Sequence, residues 1–223
     1  MKATRTRLPG ITLRDTTVSD AIMRLAAEAN PGDPEAFEGA RLNLAMPQAG
    51  PLSHSRALSM LAEDSAGRPV GVLMGGAPLW LFEHPGVTDD ALLEELITRI
   101  GIISAVAVDP GSRGVGVGAE LIRHAVRRFT RAGYGLLTLN CFPALENYYQ
   151  RLGFSIMDTL NVNLNTGRTL GQQWNDTRVA ARALDRYTDL ATVPGLVSPV
   201  VSGILPGSRV PRGAYFDGER LRS

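Results

Sequence analysis

"VAVDPGSRGVGVGAELIRHAVRRF", Val106 to Phe129, decides how this chain is read. An apolar run stops at Asp109-Pro110-Gly111. A loop follows that carries Arg113, Gly114, Gly116 and Gly118. Then Leu121, Ile122, Ala125, Val126 and Phe129 recur at helical spacing and form one apolar stripe. Arg123, His124, Arg127, Arg128 and Arg131 take the other face, where His124 is expected to be solvated. Gly133 ends the helix. A helix N-terminus offers backbone N–H groups without intrahelical partners and the positive end of the helix dipole. Glycines let such a backbone approach phosphate oxygens closely. Residues 113–119 therefore suit a pyrophosphate, with Arg113 adding charge. The other role open to this loop is a tight turn that packs a helix on a strand.

Working outward, "GIISAVAV" before the loop is almost wholly apolar, as a central strand covered on both faces would be. "ITLRDTTV" alternates and predicts a first strand. Ser19 then caps a helix, "DAIMRLAAEA", and "PEAFEGARLNLA" predicts a second with Pro34 in its first turn. "RALSMLAED" and "PVGVLMGGAPLWLF" predict a strand pair turned by "SAGR". "TDDALLEELITRI" predicts a helix capped by Thr88. Beyond the glycine loop come a buried strand, "GLLTLN", and a helix, "PALENYYQRL", opened by Pro143 and stopped by Gly153. "FSIMDTLNVNLN" reads as one last, bent strand. This order is mixed α/β with strand–helix–strand crossovers late in the chain. After Thr166, "NDTRVAARALDRYTDL" predicts a helix from Val179, Ala183 and Tyr187 spaced four apart. A tail punctuated by proline and glycine follows. The expected organisation is a loose basic arm over residues 1–10, a domain over 11–166, and a C-terminal helix and tail over 167–223.

The 223 residues are 44% hydrophobic and 20% charged, which allows a sizeable core. A net charge of +1 argues against a nucleic-acid or membrane-surface role for the whole protein. One cysteine, Cys141, excludes an intrachain disulfide. No secretory signal or membrane-length apolar run is read, so the expected location is cytoplasmic. His54, His84 and His124 lack metal-ligand spacing. Acids outnumber bases between Glu28 and Glu95, and the balance reverses from Arg113 to Arg131. Both stretches are readable as solvated faces, or as a cation-accepting half beside an anion-binding half.

Three phosphate-binding patterns compete for the loop. It is not a P-loop: GxxxxGK[ST] is absent and the only lysine is Lys2. Gly114, Gly116 and Ala119 formally match a dinucleotide fingerprint, but Asp109 to Arg113 separate the strand from the first glycine. The acid expected about 20 residues on is also missing. The third pattern fits better. "RGVGVG", Arg113 to Gly118, resembles the (Q/R)-x-x-G-x-(G/A) loop of the GNAT superfamily of acyl-CoA-dependent N-acyltransferases. "YYQRLGF", Tyr148 to Phe154, is similar to that family's second signature, and "ITLRDTTVSDAIMRLA" to its first strand and helix. The resemblance spans residues 11–165. It implies a mixed, mostly antiparallel sheet flanked by helices, here with a C-terminal extension.

The resemblance also implies a site. The donor is acetyl-CoA. Val106, Ala107 and Val108 pair by backbone with its pantetheine arm. The N–H groups of Arg113, Gly114, Val115, Gly116, Val117, Gly118 and Ala119 hold its pyrophosphate. Asn140 is placed to hydrogen-bond the pantetheine or the acceptor, or else to cap its strand. Tyr149 aligns with the family's leaving-thiolate acid. A backbone N–H near Val106 or Ala107 is the oxyanion donor. Many relatives carry a glutamate where this chain has Ser104, a poor base, so a water relay through Ser104 or a backbone carbonyl is one route for the amine's proton. Glu63, Asp64, Glu83 and His84 are the other candidates. Cys141 has no histidine beside it in sequence and is expected to be inert. The acceptor is an amine, which the acidic stretch weakly favours as cationic, and a homodimer is left open. A GNAT domain that binds coenzyme A without turnover is the alternative, and a nucleotide-dependent oxidoreductase the third.

Overall fold

The computed structural model describes residues 4–16, 20, 22–25, 52, 56–164 and 168–222. The fold is mixed α/β, with a large, mostly antiparallel sheet flanked by helices. The chain divides into two compact units, Met1–Gly76 with Ile103–Ala132, and Ala77–Ile102 with Gly133–Ser223. The expected helix over "PEAFEGARLNLA" lies outside the described residues, whereas Ile22 to Leu25 are helical as the sequence predicts.

In the first unit the strand order is β1 (Thr4–Arg5), β2 (Thr12–Asp15), β3 (Leu58–Glu63), β4 (Pro69–Gly76) and β5 (Ile100–Val108), which enters it at Ile103. The N-terminal arm is not loose: Thr4 and Arg5 pair with Leu13 and Thr12. β3 and β4 form the expected antiparallel pair, and the Asp64 carboxylate closes their turn by accepting the N–H groups of Ala66 and Arg68. Ile22, Leu25, Leu61, Val72, Met74 and Ala107 make one buried cluster. The long helix, Val117–Arg131, buries Leu121, Ile122, Ala125 and Phe129, the expected stripe apart from half-buried Val126. Each such large side chain contributes about 1.5–3 kcal/mol on full burial. Gly71 in β4 makes room for this helix, since a Cβ there would lie 2.9 Å from Val117 Cγ1.

Two further expectations are corrected in this unit. β5 is not covered on both faces. Ile103 and Ala107 are buried, but Ser104 is exposed and Val106 and Val108 are half-buried, as the two-residue period of a strand separates them. His124 is not solvated; it is 7% exposed, with Arg127 Nη2 3.3 Å from its Nδ1. Beside it Glu120 is 2% exposed and pairs with Arg123 at 3.3 Å and Arg127 at 3.6 Å. Arg128 grips both carboxylate oxygens of Asp15, at 2.7 and 3.0 Å. Much of the arginine face is thus committed to internal acids.

In the second unit β5 begins at Ile100 after the helix Asp90–Arg99. That helix is capped by Asp89, whose carboxylate accepts the Leu92 N–H, rather than by Thr88. "PLWLF" is not strand: Pro78 cannot donate to a ladder, and Trp80–Glu83 form a helical turn. The order continues β6 (Leu136–Cys141), β10 (Arg178–Ala183), β7 (Ser155–Met157). The helix expected from Val179, Ala183 and Tyr187 is therefore β10. It pairs antiparallel with β6 on one side and β7 on the other, so its backbone bonds go to neighbours and override the alanine-rich helical spacing. The predicted single bent strand also divides at Asp158: β7 pairs with β10, while β8 (Thr159–Asn163) joins a second sheet. That sheet has the order β11 (Asp189–Ala191), β12 (Val200–Ser202), β8, β9 (Thr169–Gln173), with β12 parallel to β8. A last hairpin pairs β13 (Tyr215–Phe216) with β14 (Leu221–Arg222). Leu96, Ile100, Leu136, Leu160, Val179 and Val201 belong to one core in this unit.

Burial first, then the Arg127 and Arg128 charges, hold the His124 pKa below its ordinary value. The unfolded chain then takes up the proton first as pH falls. His124 therefore favours the fold above its unfolded value of about 6.5 and ceases to do so as pH drops below it. Melting curves between about pH 7.5 and 5 should show a steeper loss of stability for the wild type than for His124→Gln. Parallel curves would contradict the buried, neutral histidine.

Candidate active site

The loop of the first unit is built by three local devices. Asp109 is tied to β4 by donating its N–H to the Val70 carbonyl. Its carboxylate accepts the Gly111 N–H at 3.1 Å and so shapes the 3-10 turn Pro110–Ser112. Gly114 and Gly116 then adopt φ of +79° and +98°, a left-handed conformation that favours glycine. The second of them is the N-cap of the long helix. Having no side chain, it supplies no capping hydrogen bond. The first helical bond runs from the Glu120 N–H to the Gly116 carbonyl at 3.0 Å. The N–H groups of Val117, Gly118 and Ala119 precede it, at the positive end of a 15-residue helix.

Around them, Val115 is 62% exposed and Arg113 and Gly114 are exposed. Arg113 does not simply reach outward, because its Nε donates to the Val108 carbonyl at 3.0 Å and so ties the loop to the end of β5. Leu8 lies against Gly116: a Cβ there would stand 3.6 Å from a Leu8 methyl. Val106 and Val108 share the open face of β5 with Ser104, while Ala107 points into the core.

Of the candidate bases in this unit, Glu63 is engaged by Arg14 at 2.6 Å. Asp64 accepts the backbone N–H and then the guanidinium of Arg68, which hold its carboxyl below the ordinary range. Glu63 thus ties β3 to β2, and Asp64 closes the β3–β4 turn. Ser104 is exposed on β5.

In the second unit Asn140 is exposed at the end of β6, and the next residue, Cys141, is buried, its thiol pushed up by burial and then by Glu146. Tyr149 lies in the six-residue helix Glu146–Arg151 and is 8% exposed. Its ring meets Tyr148 edge-on at 5.1 Å and Phe154 at 6.1 Å. Burial, then Tyr148 and Cys141, push its phenol well above the usual tyrosine value. His84 is fully occupied: its Nδ1 accepts the Gly86 N–H at 3.0 Å and its Nε2 lies 3.2 Å from the Gly171 carbonyl. Trp80 packs edge-on against it at 5.6 Å. Glu83 is exposed. Among the described residues no group of histidine, cysteine and carboxylate side chains is arranged to hold a metal ion. None of their helices is long and apolar enough to cross a membrane. What sequence reasoning missed is the support around these residues: Arg113 folded onto β5, and the β10 arginines beside the Tyr149 helix. Neither carries a motif.

Residues 57–156 match the family model described as an acetyltransferase (GNAT) domain. Over 56 residues the chain is 36% identical to the protein of Oryza sativa subsp. japonica named "Probable glucosamine 6-phosphate N-acetyltransferase 2". That stretch is 25% of this chain and 34% of the rice protein, so the chain matches only a minor part of that relative's length. A GNAT family acetyltransferase of Elizabethkingia anophelis, solved with acetyl-CoA bound, has a similar fold. Its TM-score is 0.52 at 16% identity, over 79% of this chain and 99% of that one. A GNAT family N-acetyltransferase of Escherichia coli, in complex with CoA, also gives 0.52 at 16% identity, over 83% and 86%.

The burial of Tyr149 has a direct readout. In an absorbance titration, wild type and Tyr149→Phe should gain tyrosinate signal equally up to about pH 11, because the Tyr149 phenol is still protonated there. A signal lost from the variant near about pH 10 would show an ordinary, solvated phenol.

Proposed function

We propose that this chain, whose residues 57–156 match the acetyltransferase (GNAT) domain model, is an N-acetyltransferase that moves an acetyl group from acetyl-CoA to a primary amine. The observation that carries this reading is the uncapped helix N-terminus behind two left-handed glycines. The N–H groups of residues 113–119 hold the donor's pyrophosphate. The open face of β5 accommodates the pantetheine arm, with backbone pairing along Val106, Ala107 and Val108. Asn140 adds a hydrogen bond to the pantetheine or the acceptor.

The chemistry follows from a direct attack. A neutral amine forms the new C–N bond at the thioester carbon, and a backbone N–H near Val106 or Ala107 donates to the oxyanion. The C–S bond breaks, and the Tyr149 hydroxyl gives its proton to the leaving thiolate. The proton shed by the nitrogen passes to water through Ser104, whose exposure favours a solvent relay over a buried base. Solvent restores the Tyr149 proton. The occupation of Glu63, Asp64 and His84 by structural partners supports this division of labour. Ser104 in place of the family's usual glutamate also favours a second reading, in which the domain binds coenzyme A without turnover.

Thiol release from acetyl-CoA tests the proposal against a panel of amino-sugar phosphates, polyamines, aminoglycosides, amino acids and peptides. Turnover on one amine class is expected; binding of coenzyme A with no turnover on any supports the second reading. Tyr149→Phe should lower kcat by about 10²-fold or more, with coenzyme A affinity nearly intact. Unchanged turnover would remove Tyr149 from the mechanism. Gly116→Glu should weaken coenzyme A binding by about tenfold or more, since it strains a backbone at φ +98° and sets a carboxylate beside the N–H groups. Normal affinity in that variant would refute the loop assignment.

A further inference from the structure

The helix Glu146–Arg151 is six residues long, too short to hold its shape alone. Its two ends are gripped by one strand that lies far away in sequence. At the first turn, Arg178 of β10 lies with its Nε 3.6 Å from Glu146 Oε1, and its guanidinium also contacts Asp158. At the last turn, Arg182 of the same strand donates from Nη1 to the Leu152 carbonyl at 2.5 Å. Residues 178 and 182 are an even number of positions apart, so the two-residue period of β10 puts both side chains on one face. β10 is itself held on both edges, by β6 and β7, and Ala180 and Ala181 are fully buried.

The Arg182 contact is the stronger of the two. The carbonyls of a helix's last turn have no intrahelical donor, and a cation there also meets the negative end of the peptide dipoles. The guanidinium sits close under the turn: a Cβ on Gly153 would be 3.0 Å from Arg182 Nη1. That same turn is wound about Tyr149, whose carbonyl accepts the N–H groups of Leu152 and Phe154. The ring of Phe154 packs on that of Tyr149. Arg178, 45% exposed, works through a solvated ion pair and contributes less.

We infer that Arg182 is the positioning residue for Tyr149: it reaches from the C-terminal segment to lock the turn that aims the phenol. The inference rests on the role proposed above for Tyr149. Arg182 touches no reacting atom. It acts by holding the Leu152 carbonyl, and with it the Tyr149–Phe154 turn, in one conformation. A misplacement on the order of 1 Å at such a group can cost about 10²-fold in rate.

The test uses the full chain, with two readouts. The first is absorbance titration of the Tyr149 phenol in wild type, Arg182→Met and Arg182→Lys, each differenced against its own Tyr149→Phe partner. Arg182→Met should bring the phenol's titration down towards the ordinary tyrosine range as the turn loosens and admits water; Arg182→Lys, which keeps a donor and a charge, should move it less. The second is steady-state kinetics on the acceptor identified by thiol release. Arg182→Met should lower kcat about tenfold while KM for acetyl-CoA stays within about twofold, and should cost nothing further in the Tyr149→Phe background. A phenol that titrates as in the wild type overturns the inference, as does an equal loss of kcat in both backgrounds. A shifted titration together with full turnover by Tyr149→Phe would uphold the positioning and reject the catalytic role. Should Arg182→Met fail to fold, Arg182→Lys carries the same comparison, and an unmoved phenol in it decides against the inference.

Discussion

The structure depends on how β5 becomes the long helix. After β5 ends in Val106-Ala107-Val108, the chain turns through Asp109–Gly116 and enters the helix at Val117, with positive φ at Gly114 and Gly116. The same constraint leaves the helix without a side-chain cap. A serine or aspartate at the N-cap would satisfy one of the first N–H groups. Glycine satisfies none, and the proposed anion site rests on the N–H groups of Val117, Gly118 and Ala119. The stripe of Leu121, Ile122, Ala125 and Phe129 anchors that helix in the core, and an anchored helix keeps its dipole pointed. Fold and proposed anion site thus share one local feature.

The arginine-rich face of the helix illustrates a different economy. Read as a string, Arg123, Arg127, Arg128 and Arg131 invite an anionic partner. In the fold, Glu120 draws in Arg123 and Arg127, and Asp15 takes Arg128 with two hydrogen bonds. These pairs neutralise charge internally, which is why the proposed phosphate site is assigned to the backbone of residues 113–119 and not to this face. The chain's net charge of +1 is consistent with that distribution.

What the sequence made legible follows from the range of the interactions concerned. The long helix was readable because its stripe repeats at 3.6 residues, and the β3–β4 pair because "SAGR" separates two apolar runs. Both are local. β10 was misread because "RVAARA" has the spacing of a helix, and only its partners β6 and β7, remote in sequence, make it a strand. His124 was misplaced for the same reason: its position on the helix predicts a polar face, but not what covers that face. The resemblance of "YYQRLGF" to a family signature pointed to Tyr149. It carried no hint of the Arg182 contact, which joins residues 30 positions apart, or of the burial that holds the phenol protonated.

The central claim is that the backbone of residues 113–119 binds the pyrophosphate of coenzyme A. Calorimetric titration of the full chain with coenzyme A, alongside pantetheine, which lacks the pyrophosphate and the nucleotide, tests it most directly. The account predicts saturable binding of coenzyme A and binding of pantetheine weaker by about tenfold or more, at least 1.4 kcal/mol. Equal affinity for the two, or no binding of coenzyme A, would contradict it.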